Sequence, residues 1–135
     1  MKNLKNQFMQ AAFLTTVWLL IIINLGFGNP QVQFSYFWHI IVIAIIIGGV
    51  FGVIYPYLWN FGTWSAPVNI VITTLINFAA GYLAVYLFSV EMFQIILPFW
   101  GLFLLINLVL HVIGFYFYRK FQNKKIVEEL NQLTK

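Results

Sequence analysis

The sequence predicts an all-α integral membrane protein: a bundle of four transmembrane helices, both termini cytoplasmic, with a short cytoplasmic helix at the C-terminus. Three observations predict it. First, 62% of the 135 residues are hydrophobic and only 7% are charged, far below the roughly 25% charge that covers the surface of a soluble domain. Second, the mean hydropathy is +0.90. Third, Glu91 is the only formally charged residue between Lys5 and Arg119. The chain reads as one membrane domain, residues 1–135.

The elements follow in order. A helix needs about 20 residues to cross a ~30 Å hydrocarbon core. Four apolar runs reach that length, at about 8–26, 37–57, 67–88 and 93–118. Each is helical, because a lone strand in lipid leaves its backbone groups unpaired. The runs are continuous and not strictly alternating, which argues against a β-barrel. "GFGNPQVQ" is a Gly/Asn/Pro turn between the first two spans, and "YPYLWNFGTWSAP" a longer loop between the second and third. Pro67 suits the first turn of the third helix, with Ser65 as a candidate cap. "SVEMF" is a tight turn holding Glu91.

Lys2 and Lys5 precede the first span, and Arg119, Lys120, Lys124 and Lys125 follow the last. The positive-inside rule places both ends in the cytoplasm, which requires an even number of spans. The expected location is therefore a cell membrane, multi-pass. The first span is expected to be retained, since it is long for a signal peptide and no A-x-A cleavage pattern follows.

The spans are not purely apolar. Asn69, Thr73, Asn77 and Gly81 recur every four residues and form one stripe of the third helix. Asn107 and His111 share a face of the fourth. Ala44, Gly48 and Gly52 make small-xxx-small steps in the second, and Ala12, Thr16 and Asn24 align in the first. Such faces suit hydrogen bonding between helices and close backbone approach. Thr74, off the stripe, can bond back to the carbonyl of Ile70. A polar path or a self-association surface, giving a homo-oligomer, are the alternatives to simple packing.

Chemistry is constrained by what is missing. There is no cysteine and no aspartate. Thiolate nucleophiles, disulfides and carboxylate pairs within the spans are excluded. Two histidines, His39 and His111, without nearby acids make a weak metal site. The expectation is no enzyme and no cofactor.

After the last span, residues 119–135 form a cytoplasmic tail. Its four basic residues suit the anionic headgroups of membrane lipids. Ile126, Leu130 and Leu133 then recur at i, i+4 and i+7, an amphipathic pattern fit to dock a partner. Tyr57, Trp59 and Trp64 of the middle loop are aromatic candidates for the same contact.

"TWSAPVNIVITTLINFAAGYLAVYLF", after a short Trp/Ser loop, and a long final helix ending "FYFYRKFQNKKIVEELNQL" resemble the small four-span membrane proteins encoded beside LytTR-type transcription regulators. Chain size and the four-helix layout are similar too. The resemblance implies a membrane-embedded inhibitor that binds and sequesters a cytoplasmic LytTR-type DNA-binding regulator. It makes no direct contact with nucleic acid, because the DNA contact belongs to the partner. The alternative expectation is a subunit of a small transporter, channel or flippase.

Overall fold

The computed structural model describes residues 2–27 and 31–133. Within the expected first turn, Gly28, Asn29 and Pro30 lie outside the described residues. All of the regular structure described is helical: α1 (Lys2–Phe27), α2 (Tyr36–Gly49), a π-helical segment (Val50–Ile54), α3 (Tyr55–Phe61), α4 (Ala66–Phe88), α5 (Val90–Ile96), a 3-10 turn (Leu97–Phe99) and α6 (Trp100–Leu133). Four helical stretches are long and apolar enough to cross a membrane: Asn3–Gly26, Tyr36–Phe61, Ala66–Phe88 and Val90–Gln132. The fold is thus compatible with a multi-pass helical membrane protein.

The packing order is α1 on α2 and the π segment, α2 on α4, and α4 on α6. Among the described residues α1 and α6 share no comparable packing, so the arrangement is open between its first and last members. Neighbours run antiparallel. Gly48 faces Ala12 and Gly52 faces Phe8. Asn77 meets Asn107. Tyr36 bonds the carbonyl of Phe88 at one end, and Tyr55 that of Thr73 near the other. The basic flanks of α1 and α6 therefore share an end with the α3–α4 connection.

α1 packs closely against α2 and the π segment at two glycines. A Cβ on Gly48 would sit 3.0 Å from the Ala12 Cβ, and one on Gly52 would sit 2.5 Å from the Phe8 Cα. Only glycine permits backbones to approach this far. The threonines of α1 turn their hydroxyls inward on their own helix, Thr15 to Ala11 O at 2.8 Å and Thr16 to Ala12 O at 2.9 Å. Asn24 is exposed.

The helices depart from expectation at prolines. The second span does not end near Tyr57. It continues through Pro56 to Phe61, and the loop shrinks to residues 62–65. Proline removes an N–H and crowds the carbonyl one turn back. The chain answers with one wider turn, in which the Tyr55 N–H reaches Val50 O. Such π bulges keep the helix going past an interruption. Pro98 similarly breaks the last span into α5, the 3-10 turn and α6. Ser89 links α4 to α5, and its hydroxyl accepts from the Met92 N–H at 3.2 Å. Ser65 holds the N-cap position of α4 without a side-chain bond. The tail is not a separate short helix: α6 runs unbroken from Trp100 to Leu133.

Candidate functional site

The polar groups of the spans converge around Tyr55. The wide turn before it brings its hydroxyl to the Nε2 of His111 and to Thr73 O, 3.2 Å away. His111 Nδ1 lies 2.7 Å from Asn107 O. A carbonyl only accepts, so Nδ1 donates to it, and the single Tyr55 O–H proton faces two neighbours, Thr73 O and His111 Nε2. Next along, Asn77 Nδ2 donates to Asn107 Oδ1 at 3.0 Å. One network thus ties α3 to α4 and α6. His111 is 7% exposed, within a neighbourhood of aromatic rings.

Trp59 covers this network on the basic side. It stacks on Tyr55 with centroids 5.4 Å apart and 18° between planes, and it meets Phe115 and Tyr118 edge-on. Tyr118 donates to Asn60 Oδ1, and Gln122 donates to the Tyr118 oxygen at 3.2 Å. Trp59 therefore faces inward, apart from the other loop aromatics. Tyr57 and Trp64 are exposed, as is Phe61.

The stripe on α4 behaves differently from its spacing. Asn69 and Thr73 are buried, at 4% and 0% exposure. Yet the Thr73 hydroxyl bonds its own helix, at Asn69 O (2.7 Å) and Ile70 O (3.1 Å). Thr74, expected to make the Ile70 bond, is buried with its hydroxyl unpartnered. Asn69 Nδ2 lies 3.5 Å from Trp64 O, and its Oδ1 is buried without a partner, as is the Trp59 indole N–H. Only Asn77 makes a side-chain bond to another helix. Gly81 is not a close-approach glycine, because a Cβ there would meet nothing within 4 Å. It lines a cleft of about 350 Å³ between α4 and α6, floored by Asn77 and Asn107 and walled by Phe78, Tyr82 and Phe103.

At the opposite end, a cleft of about 410 Å³ is lined by Gln31, Tyr36, His39, Phe88 and Ser89 among others. Among the described residues, no group of three or more His, Asp or Glu is placed to hold a metal.

On the tail, Arg119, Lys120, Lys124 and Lys125 are exposed, as are Ile126 and Leu130. Lys124 pairs with Glu128 at 3.9 Å and Lys125 with Glu129 at 4.0 Å. Exposed pairs of this kind, with Lys ahead of Glu along the helix, contribute at most about 0.3–0.5 kcal/mol each. The side chain of Leu133 lies outside the described residues.

Sequence spacing did not single out Tyr55. It sits among tyrosines and tryptophans that read as interfacial anchors. The usable signal was Pro56 after a glycine-rich turn, which marks a helix forced to change pitch. No family model matches the chain, and neither a curated protein nor a solved structure matches it.

Proposed function

We propose that the chain is a membrane anchor with a regulatory role, holding a cytoplasmic protein at the inner face of the cell membrane. The observation that carries this reading is the exposed apolar surface at the basic end. There Tyr57, Phe61 and Trp64 stand beside a helix that runs on past Tyr118 and exposes Ile126 and Val127. Apolar area that projects beyond the lipid costs about 25 cal/mol per Å² relative to burial, so the projecting part of this surface gains by meeting a partner. The basic residues at this end favour the cytoplasmic side. The resemblance to LytTR-system membrane proteins makes the partner a LytTR-type transcription regulator. Held at the membrane, that regulator is kept from the chromosome, and all DNA contact is its own.

The buried network supports this reading over a solute path. Tyr55 is used by His111, Asn77 by Asn107, and Thr73 by its own backbone. The first two bonds fix helices to one another and give the docking surface a firm base.

The test is capture of the tagged chain from its native cells in mild detergent. The expected result is a stoichiometric soluble DNA-binding protein, lost when Tyr57→Ala is combined with Trp64→Ala or when Ile126→Asp is introduced. Recovery without it, together with solute flux in vesicles holding the pure chain, would overturn the reading in favour of transport.

A further inference from the structure

We infer that the cleft between α4 and α6 binds a long-chain alcohol dissolved in the membrane, a hydroxyl group on a slender apolar body. This goes beyond the docking reading and does not depend on it, because the site consists of the Asn77–Asn107 pair and the space beside it.

The amide pair is only half used. Asn77 Nδ2 donates to Asn107 Oδ1 at 3.0 Å. That bond joins α4 to α6 and leaves over the N–H groups of Asn107 and the carbonyl of Asn77. Among the described residues neither has a partner. Exchanging the two ends of each amide leaves the same remainder, one donor group and one acceptor. Neither is sealed in. The buried side-chain atoms without a partner belong to Trp59, Asn69 and Thr74, whereas Asn77 and Asn107 are half-buried and line the cleft.

Depth makes this remainder matter. Asn77 is the central residue of the 23 in α4, ~16 Å along the axis from either end. In a hydrocarbon core of ~30 Å that is the midplane. Lipid tails offer no hydrogen bond to either group, so both gain from a partner carried into the cleft.

The space suits a small molecule. Its volume is about 350 Å³, within the ~300–1,000 Å³ of small-molecule sites. Its α4 wall runs from Asn77 past Gly81 to Val85, ~12 Å along the axis. Gly81 keeps that wall low, since a Cβ there would meet nothing within 4 Å. From the amide floor the cleft extends away from the basic end toward Ile96. Phe103 and Ile106 are exposed at its rim, so it opens sideways to lipid.

The lining selects the occupant. A hydroxyl is the smallest group that donates and accepts at once, which is what the two amides leave unmet. None of the described residues lining the cleft is charged. A phosphate or an ionised carboxylate would lie there without a counter-charge, which disfavours phospholipid headgroups and fatty-acid anions. A plain acyl chain fills the space and leaves both amide groups unpaired. The remaining walls are apolar or aromatic, with the Tyr82 ring 4.5 Å from that of Phe78 and 6.5 Å from that of Phe103. An apolar chain lies against these rings about as well as in lipid, so the hydroxyl decides.

The test is photolabelling of the full chain, purified and reconstituted in phosphatidylethanolamine–phosphatidylglycerol vesicles. One probe is hexadecanol with a diazirine near its hydroxyl end, and the other is the same molecule with hydrogen in place of the hydroxyl. Labelling of residues 78–85 and 103–110, measured relative to α1 by peptide mass spectrometry, is expected to be at least about fivefold higher with the alcohol. Excess farnesol or unlabelled hexadecanol should remove the difference, and the more effective of the two identifies the body as prenyl or saturated. Gly81→Leu fills the cleft without touching the amide pair and should abolish the preference. Asn107→Leu should make the two probes equal. Equal labelling of the parent by both probes, as when water meets the spare amide groups, overturns the site. So does an alcohol preference that survives Gly81→Leu, a variant expected to fold because position 81 has open space beside it. Capture of a soluble partner from cells stands or falls separately.

Discussion

Gly52 and Gly49 are three residues apart and chemically identical, yet a methyl group added to each meets different surroundings. On Gly52 it would lie 2.5 Å from the Phe8 backbone, and on Gly49 nothing lies within 4 Å. Gly52→Ala should therefore push α1 away and destabilise by about 1–3 kcal/mol, while Gly49→Ala should be neutral or slightly stabilising. Thermal unfolding of both variants in one detergent checks the contrast; equal effects would mean that α1 does not pack at Gly52. The spacing of Gly48 and Gly52 made a close contact legible in the sequence. Its direction, toward Phe8 and Ala12 of α1, was not, because spacing gives a face and no partner. Thr73 carries the reverse lesson. Its place on the stripe promised a bond to another helix, but a threonine hydroxyl in a helix reaches its own carbonyls more easily.

At the level of elements, hydropathy located all four long apolar helices, and prolines explain where the boundaries moved. Pro56 sits inside a helix that widens by one turn instead of stopping. A proline reads as a helix end when only its missing donor is considered. Here the apolar run on both sides keeps the helix going. The tail was read as a separate element because its charge pattern changes at Arg119. Charge pattern alone does not break a helix, and residues 119–133 hold no glycine or proline to do so. Of residues 119–132, all but Gln122 are exposed. Removing residues 126–135 should thus leave thermal unfolding of the remainder within ~0.5 kcal/mol of the parent, while abolishing capture of the soluble partner. A large loss of thermal stability would mean that the tail folds back onto the helices.

The whole molecule has two dissimilar ends, and this difference was legible from charge placement. The packing order was not, since apolar faces of membrane-length helices contact lipid and protein with little to choose between them. The ends make orientation testable. In intact cells a membrane-impermeant thiol reagent should label Glu91→Cys, and should label Trp64→Cys and Lys124→Cys only after permeabilisation. Labelling of Trp64→Cys in intact cells would reverse the topology and remove the cytoplasmic docking surface with it.

The unbroken run of α6 from Trp100 to Leu133 also has a mechanical meaning. Tyr55 and Trp59 hold this helix from one side near its middle, at His111 and Phe115, and about 22 residues, or ~33 Å, extend beyond His111. A stiff arm of that length amplifies motion at its pivot. Tilting the helix by ~10° at the Tyr55–His111 contact would sweep the tip through roughly 6 Å. A shift too small to disturb the packed interior would carry the tip about as far as the width of a side chain.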